Sequence, residues 1–213
     1  MKYKVMIVED QTMPRELFEL RIQASEHFEV AISIDNAAVA DIYCLRFPVD
    51  LIMMDVVTRD GESGLDAAER IKRAFPQIKI IIVTSMPECS YLSRAREIGV
   101  ESFWYKEEHR ESLLDVMERT MNGESVYPDA SPELTLGLAS SYDFTERELT
   151  VLREITSGDT NQEIADRLNM SVATVKTHIL NMLEKTGFRN RTELAVRARE
   201  SGLVILNRKS GEL

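Results

Sequence analysis

The run VDLIMMD at residues 49–55 decides the architecture of the N-terminal part of the chain. Apolar side chains fill it almost without alternation, and it stops on a carboxylate. A strand that is apolar on both sides has to be covered on both faces, as strands in parallel α/β sheets are. The same grammar recurs in KVMIV (4–8) and IKIIIV (78–83), and more weakly in EVAISI (29–34) and ESFW (101–104). Amphipathic segments at about 13–25, 36–46, 64–74, 88–98 and 108–121 separate or follow these runs. Five such units over residues 1–121 predict an α/β domain: a five-stranded parallel sheet with helices on both faces.

Beyond 121 the pattern changes twice. Residues 122–143 contain Gly123, Pro128 and Pro132 and no basic residue, which reads as a linker with a short helix near 131–139. From 144 onward only helical periodicity remains. Thr145 and Glu148 have capping-box spacing ahead of Leu149, Leu152 and Ile155. Ser157-Gly158-Asp159 ends that helix, and a second spans about 160–168 with Ile164, Ala165 and Leu168 inward. After the tight turn Asn169-Met170-Ser171, a third helix runs from 172 to about 185, and a fourth covers about 192–201. Four short helices, two of them joined by a tight turn, predict an all-α helix-turn-helix domain over 144–213.

The 213 residues suffice for two small domains, each with its own core. No apolar run approaches the roughly 18 residues of a membrane span, and the start MKYKVMIVED reads as a strand instead of a leader, so a cytoplasmic chain without a membrane partner is expected. Cys44 and Cys89 lie in no metal-like spacing and read as free thiols in helices. The net charge of −10 is uneven: 15 basic against 22 acidic residues over 1–120, and 11 against 10 over 145–213. An acidic half repels polyanions, so any nucleic-acid surface belongs in the C-terminal half.

The chemistry-bearing residues cluster at strand ends. Glu9 and Asp10 follow the first strand, Asp55 the third, Thr84 the fourth and Lys106 the fifth. In an open parallel sheet those ends meet at one crevice. Any one acid at a strand end is usually a solvated loop residue or a helix cap, but five suitable groups at four ends are harder to dismiss. Three clustered carboxylates repel one another and call for a hard cation such as Mg²⁺. A hydroxyl and an ammonium beside that cation suit the oxygens of a transferring phosphoryl group, with Asp55 as the attacking carboxylate. A hydrolase using the same groups would want a general base, and His27 and His109 lie at unrelated points.

With these residues in place, the first 120 positions resemble the receiver domain of two-component response regulators, a flavodoxin-like fold. The matching features are V-E-D at 8–10, Asp55, Thr84-Ser85 and GVESFWYK at 99–106. The resemblance implies that Asp55 accepts a phosphoryl group from a cognate histidine kinase. It implies Mg²⁺ on Asp10 and Asp55 directly, on Glu9 largely through water, and on the carbonyl of Val57. It makes Thr84 and Lys106 the phosphoryl contacts, and Thr84 and Phe103 the switch pair. No dedicated external substrate is implied, only Mg²⁺-dependent self-phosphorylation and autodephosphorylation. Two features depart from the family. Glu9 stands for the more usual aspartate. The loop DVVTRDGESG (55–64) lacks the usual Met-Pro and is one residue longer, with Arg59 and Asp60 near the site.

In the third C-terminal helix, Val172, Val175, Ile179, Met182 and Leu183 form an inward stripe. Thr174, Lys176, Thr177, Leu180, Asn181 and Lys185 fall on outward or flanking positions, where the helix can enter a major groove. From composition alone a protein-binding bundle is as good a reading. The sequence FTEREL…GDTNQEIADRLNMSVATVKTHILNMLEKTGFRNRTEL resembles the LuxR-type helix-turn-helix (NarL/FixJ-like) of one large class of response regulators. That resemblance implies double-stranded promoter DNA as partner, Lys176 and Thr177 toward the groove, and a homodimer through the last helix on activation; Lys185 and Arg191 lie at or beyond the far end of the third helix, where the duplex backbone is expected to pass. Two alternatives remain: a DNA-binding regulator whose receiver works without phosphate, and a signalling adaptor whose helical domain binds protein.

Overall fold

A computed structural model describes residues 2–59, 63–85, 90–106 and 112–204. Asp60, Cys89, His109 and the C-terminal residues from 205 lie outside the described residues. By contacts, the described residues within 2–85 and 91–130 form one compact unit and those of 131–204 a second.

In the first unit, strands β1 (Tyr3–Val8), β2 (Phe28–Ile34), β3 (Leu51–Met54), β4 (Lys79–Thr84) and β5 (Ser102–Tyr105) form one parallel sheet in the order β2-β1-β3-β4-β5. Helices α1 (Thr12–Gln23), α2 (Ala40–Arg46), α3 (Gly64–Ala74), α4 (Ser90–Ile98) and α5 (Leu113–Met121) connect or follow them. Strand side chains alternate between faces. Val5, Ile7, Leu51, Met53, Ile81 and Val83 pack with Phe18 and Ile22 of α1 and Leu113, Val116 and Met117 of α5. The alternate residues Met6, Ile52, Ile80 and Ile82 are equally buried and face the other way. Double coverage is why β3 needed four consecutive apolar residues, all buried. The helix expected over 36–46 begins as a 3-10 turn, Ala37–Val39, capped by the Asn36 side chain.

The second unit holds α6 (Glu146–Thr156), α7 (Asn161–Arg167), α8 (Val172–Thr186) and α9 (Arg191–Glu200). Its core joins Leu149, Leu152 and Ile155 of α6, Ile164 and Ala165 of α7, Val175, Ile179 and Met182 of α8, and Leu194 and Ala198 of α9. Thr145 and Glu148 form the capping box at the start of α6. Asn169 turns the chain between α7 and α8 with φ 51°, a left-handed conformation that asparagine tolerates. Ser171 caps α8, and Gly187 ends it at φ 74°.

The segment 122–143 departs from a plain linker. Val126 extends along the outer edge of β5: the Phe103 N–H donates to its carbonyl at 2.8 Å, and its own N–H donates to the Ser102 hydroxyl at 3.1 Å. The short helix expected near 131–139 is a hairpin instead, β6 (Thr135–Leu136) and β7 (Ala139–Ser140), followed by a 3-10 turn, Ser141–Asp143. Gly137 explains the difference. It opens a two-residue loop at φ 63°, and a Cβ there would lie 2.2 Å from the Thr186 carbonyl oxygen. Leu136 and Ala139 are buried in the helical unit's core.

Candidate functional site

The order of the sheet reverses between β1 and β3. Their crossovers leave in opposite directions, which opens a crevice at their C-terminal ends. Glu9 and Asp10 follow β1 there, and Asp55 follows β3. One carboxylate oxygen from each lies within 4.8 Å of the others. Sheet bonding fixes the backbones: Glu9 N–H donates to Ile34 and Asp55 N–H to Val8, both at 2.9 Å. Lys106, past the end of β5, places its ammonium 2.7 Å from Asp55 Oδ2 and 2.5 Å from Glu9 Oε2. Its backbone N–H donates to the carbonyl of Thr84, itself fully buried at the end of β4. Glu9, Asp10, Asp55, Thr84 and Lys106 thus meet at one end of the sheet.

Glu9 is 1% exposed and Asp55 5%. Burial is the main reason the Asp55 carboxyl is pushed up to about 6; Lys106 opposes the rise, and the charge of Glu9 adds to it. Burial would lower the Lys106 ammonium, but Asp55 and Glu9 outweigh it and hold lysine above its ordinary range. One lysine facing two buried carboxylates, with Asp10 beside them, leaves negative charge in excess. The donor set is hard oxygen, which fits Mg²⁺ chemistry.

Three features of the loop after Asp55 have no signal in the local sequence. Gly64 packs so closely that a Cβ would sit 1.8 Å from the Asp55 carbonyl oxygen, and its N–H donates to the Val56 carbonyl at 2.8 Å. Val57 forms an antiparallel bridge with Ser63, which brings residues 57 and 63 side by side. Arg59 pairs with Asp35 at 2.7 Å.

Phe103 is buried, its ring centroid 5.0 Å from Tyr105 and 6.2 Å from Tyr127. Tyr127 bonds through its hydroxyl to the Val100 carbonyl at 2.7 Å and lies under the Arg96 guanidinium at 4.7 Å. The side chain covering Phe103 therefore comes from the segment read as linker. Nothing in the local pattern around residue 127 announces it.

On α8 the buried residues leave Thr174, Lys176, Thr177, Leu180 and Asn181 together on the exposed face. The other two candidates are engaged inside the unit. Lys185 donates to Glu148 Oε2 at 2.7 Å and to the Asp143 carbonyl at 2.8 Å. Arg191 bonds Asn161 Oδ1 at 2.9 Å and the Asp159 carbonyl at 2.7 Å, tying the start of α9 to the start of α7. Glu148 is nearly buried, and its role beyond capping is as Lys185's partner. On α9, Ala198 is core, whereas Val196 is 49% exposed.

Comparison with known proteins covers both units. Residues 5–118 match the response regulator receiver domain, and residues 143–198 match the LuxR family of bacterial regulatory proteins. The chain is 32% identical over 212 residues to the response regulator protein VraR of Staphylococcus aureus strain Mu3, covering 96% of this chain and all of the relative. VraR of Staphylococcus epidermidis is equally similar. Among solved structures, RcsB dimers bound to two parallel DNAs align with a TM-score of 0.61 at 18% identity, over 93% of this chain and 98% of that one. ChrA of a heme-sensing two-component system aligns at 0.52 and 21% identity, over 95% and 99%. Among the described residues no helix is long and apolar enough to cross a membrane. On the extent of these matches, the chain belongs to the two-component response regulators that join a receiver domain to a LuxR-type helix-turn-helix.

Proposed function

We propose that the chain is a phosphorylation-controlled DNA-binding transcription regulator, in which Asp55 accepts a phosphoryl group from a histidine kinase. The observation that carries this is the convergence of Asp55, Lys106, Thr84 and two further carboxylates at one sheet edge, in a chain whose second unit presents an exposed face of α8. An oxygen of Asp55 attacks phosphorus, the phosphorus–nitrogen bond of the kinase phosphohistidine breaks, and the imidazole nitrogen keeps the electron pair. Lys106 and Thr84 then hold phosphoryl oxygens. Glu9, Asp10, Asp55 and the Val57 carbonyl are the residues to hold Mg²⁺, which when bound supplies countercharge to the phosphoryl group.

The new charge draws Thr84 toward the acceptor, Lys106, already paired with Asp55, turns to a phosphoryl oxygen, and Phe103 shifts from its present packing against Tyr105 and Tyr127. VraR is a response regulator by name, and RcsB has been captured as DNA-bound dimers. By analogy, activation pairs two copies on promoter half-sites, with Lys176 and Thr177 at the bases and α9 between copies.

The test uses acetyl phosphate with Mg²⁺ and duplex DNA selected from genomic fragments. Wild type gains one acid- and base-labile phosphoryl group, self-associates and binds the selected duplex more tightly; Asp55→Asn gains none. Labelling of Asp55→Asn to the same stoichiometry rejects the acceptor assignment. Binding by the wild type that is indifferent to labelling rejects the switch and favours a receiver that works without phosphate. Failure to bind any duplex in a salt-dependent way points to an adaptor.

A further inference from the structure

The loop after Asp55 reads DVVTRDGESG and lacks the Met-Pro usual in the family it resembles. Thr58 is buried, 2% exposed. Its hydroxyl oxygen accepts a hydrogen bond from the Ala37 N–H at 2.9 Å, also buried. That N–H opens the 3-10 turn after β2, whose next N–H is capped by Asn36 at 2.7 Å. One residue further along the loop, the Arg59 N–H donates to the Asp35 carbonyl at 3.2 Å, and the side chains of the two pair. The exposed ion pair adds little stability by itself. The buried Thr58 bond is the stronger tie, because breaking it orphans a buried amide.

We propose that Thr58 is a positioning residue for the divalent cation, acting through the Val57 carbonyl. The reason is covalent geometry. The Val57 C=O and the Thr58 N–H belong to one planar peptide unit, so whatever fixes Thr58 also aims the Val57 oxygen. On its other side Val57 is held by the bridge to Ser63. The turn at 34–37 braces both halves of the site: the Ile34 carbonyl accepts from the Glu9 N–H, while the Ala37 N–H donates to the Thr58 hydroxyl oxygen. The tie to the β2–α2 turn thus fixes the peptide that carries the Val57 carbonyl. The inference rests on the proposed cation site and deepens it.

The experiment measures Mg²⁺ binding to the full chain by calorimetry, and Mn²⁺ binding by electron paramagnetic resonance, without any phosphodonor. Thr58→Val keeps the side chain's volume and removes the acceptor; it weakens the cation about tenfold, the lower end of what outer partners of metal ligands contribute. Thr58→Ser restores the acceptor and binds within about twofold of wild type. Thr120→Val is the control for general loosening, since Thr120 is a fully buried hydroxyl of the same unit, bonded to Ser102 at 2.7 Å and away from the loop. Equal affinity in Thr58→Val and wild type overturns the proposal, as does an equal weakening by Thr120→Val. If wild type itself binds neither ion, the cation site fails first and the role of Thr58 falls with it, a result distinct from the other two.

Discussion

Asp55 and Glu148 are both nearly buried carboxylates with a lysine ammonium 2.7 Å away, yet their carboxyls are shifted in opposite directions. Burial pushes Asp55 up to about 6. Burial also acts on Glu148, but Lys185 together with the N–H and hydroxyl of Thr145 overcomes it and holds the carboxyl below the usual glutamate range. The difference lies in the count of partners. Lys185 faces one carboxylate, which a capping box also serves, whereas Lys106 is shared between Asp55 and Glu9 with Asp10 close by. An acid whose charge is satisfied by its own fold holds structure together. An acid whose charge the fold leaves under-compensated is ready for a cation or an electrophile.

Removing each charge sharpens that contrast most. Glu148→Ala strips the capping box of α6 and leaves Lys185 without its carboxylate. The helical unit should lose about 3 kcal/mol, less than the upper range for a broken buried pair because Lys185 still reaches water. Asp55→Asn should leave the receiver as stable or more so at pH 7.5 without divalent cation, since it relieves repulsion and Lys106 keeps Glu9. Chemical denaturation of both variants checks this, with Trp104, the one tryptophan and a member of the receiver core, reporting that unit. A receiver that loses as much from Asp55→Asn as the helices lose from Glu148→Ala breaks the comparison.

Acid should divide the two units as well. Between about pH 4 and 6 native Asp55 keeps a proton that the unfolded chain has released, so its contribution to stability falls as pH rises through that window. Glu148 has the opposite sign: its contribution is present above the ordinary glutamate range and is lost as pH falls through its lowered pKa. Acidifying from pH 7 to 5 should therefore favour the receiver, and acidifying further should weaken the helices. Mg²⁺ should raise the Trp104-reported melting temperature more at pH 7.5 than at pH 5, because protonation competes with the cation. A Mg²⁺ shift independent of pH would mean that Asp55 takes no part in holding it.

Gly64→Ala comes next in size. The added methyl cannot coexist with the Asp55 carbonyl at 1.8 Å, so the loop or α3 has to move. A loss of about 2 kcal/mol and slower labelling by a small phosphodonor are expected, the second because the acceptor's backbone is displaced. Normal labelling with lowered stability would separate packing from chemistry.

The two sites were legible to different degrees, for physical reasons. Strand ends converge by topology alone, so the apolar runs and the acids after them were enough to bring Glu9, Asp10, Asp55, Thr84 and Lys106 together. The buried stripe of α8 followed from its period, with Val172 and Leu183 only partly buried at its margins. Long-range partners leave no such trace. Nothing near Lys185 or Arg191 in sequence shows that Glu148 and Asn161 engage them, 37 and 30 residues away. The hairpin at 135–140 had one local signal, Gly137 heading a two-residue loop, but its strands are too short to show alternation.

The smallest effect concerns DNA, and it asks whether the engaged cations differ from the exposed ones. Lys176 is exposed on the first half of α8, beside the buried Val175. In the proposed docking a lysine there would reach base acceptors that differ between base pairs, and such a contact is worth about 1–3 kcal/mol of discrimination. Arg191 instead spends two hydrogen bonds on Asn161 and Asp159. Any phosphate contact it makes is secondary to holding α9 against α7. Lys176→Ala should cut affinity for a selected operator about tenfold while changing a scrambled duplex by only a small factor. Arg191→Ala should lower both together and also loosen α9, visible as faster amide exchange at Leu194 and Ala195. Salt titrations on both duplexes separate the cases, because losing a phosphate contact reduces the slope by about one unit and losing a base contact does not. An unchanged operator-to-random ratio in Lys176→Ala would make Lys176 a backbone anchor and would turn the face of α8 assigned to the bases. Unchanged exchange in Arg191→Ala, with the salt slope reduced, would make Arg191 a phosphate ligand first and a clasp second.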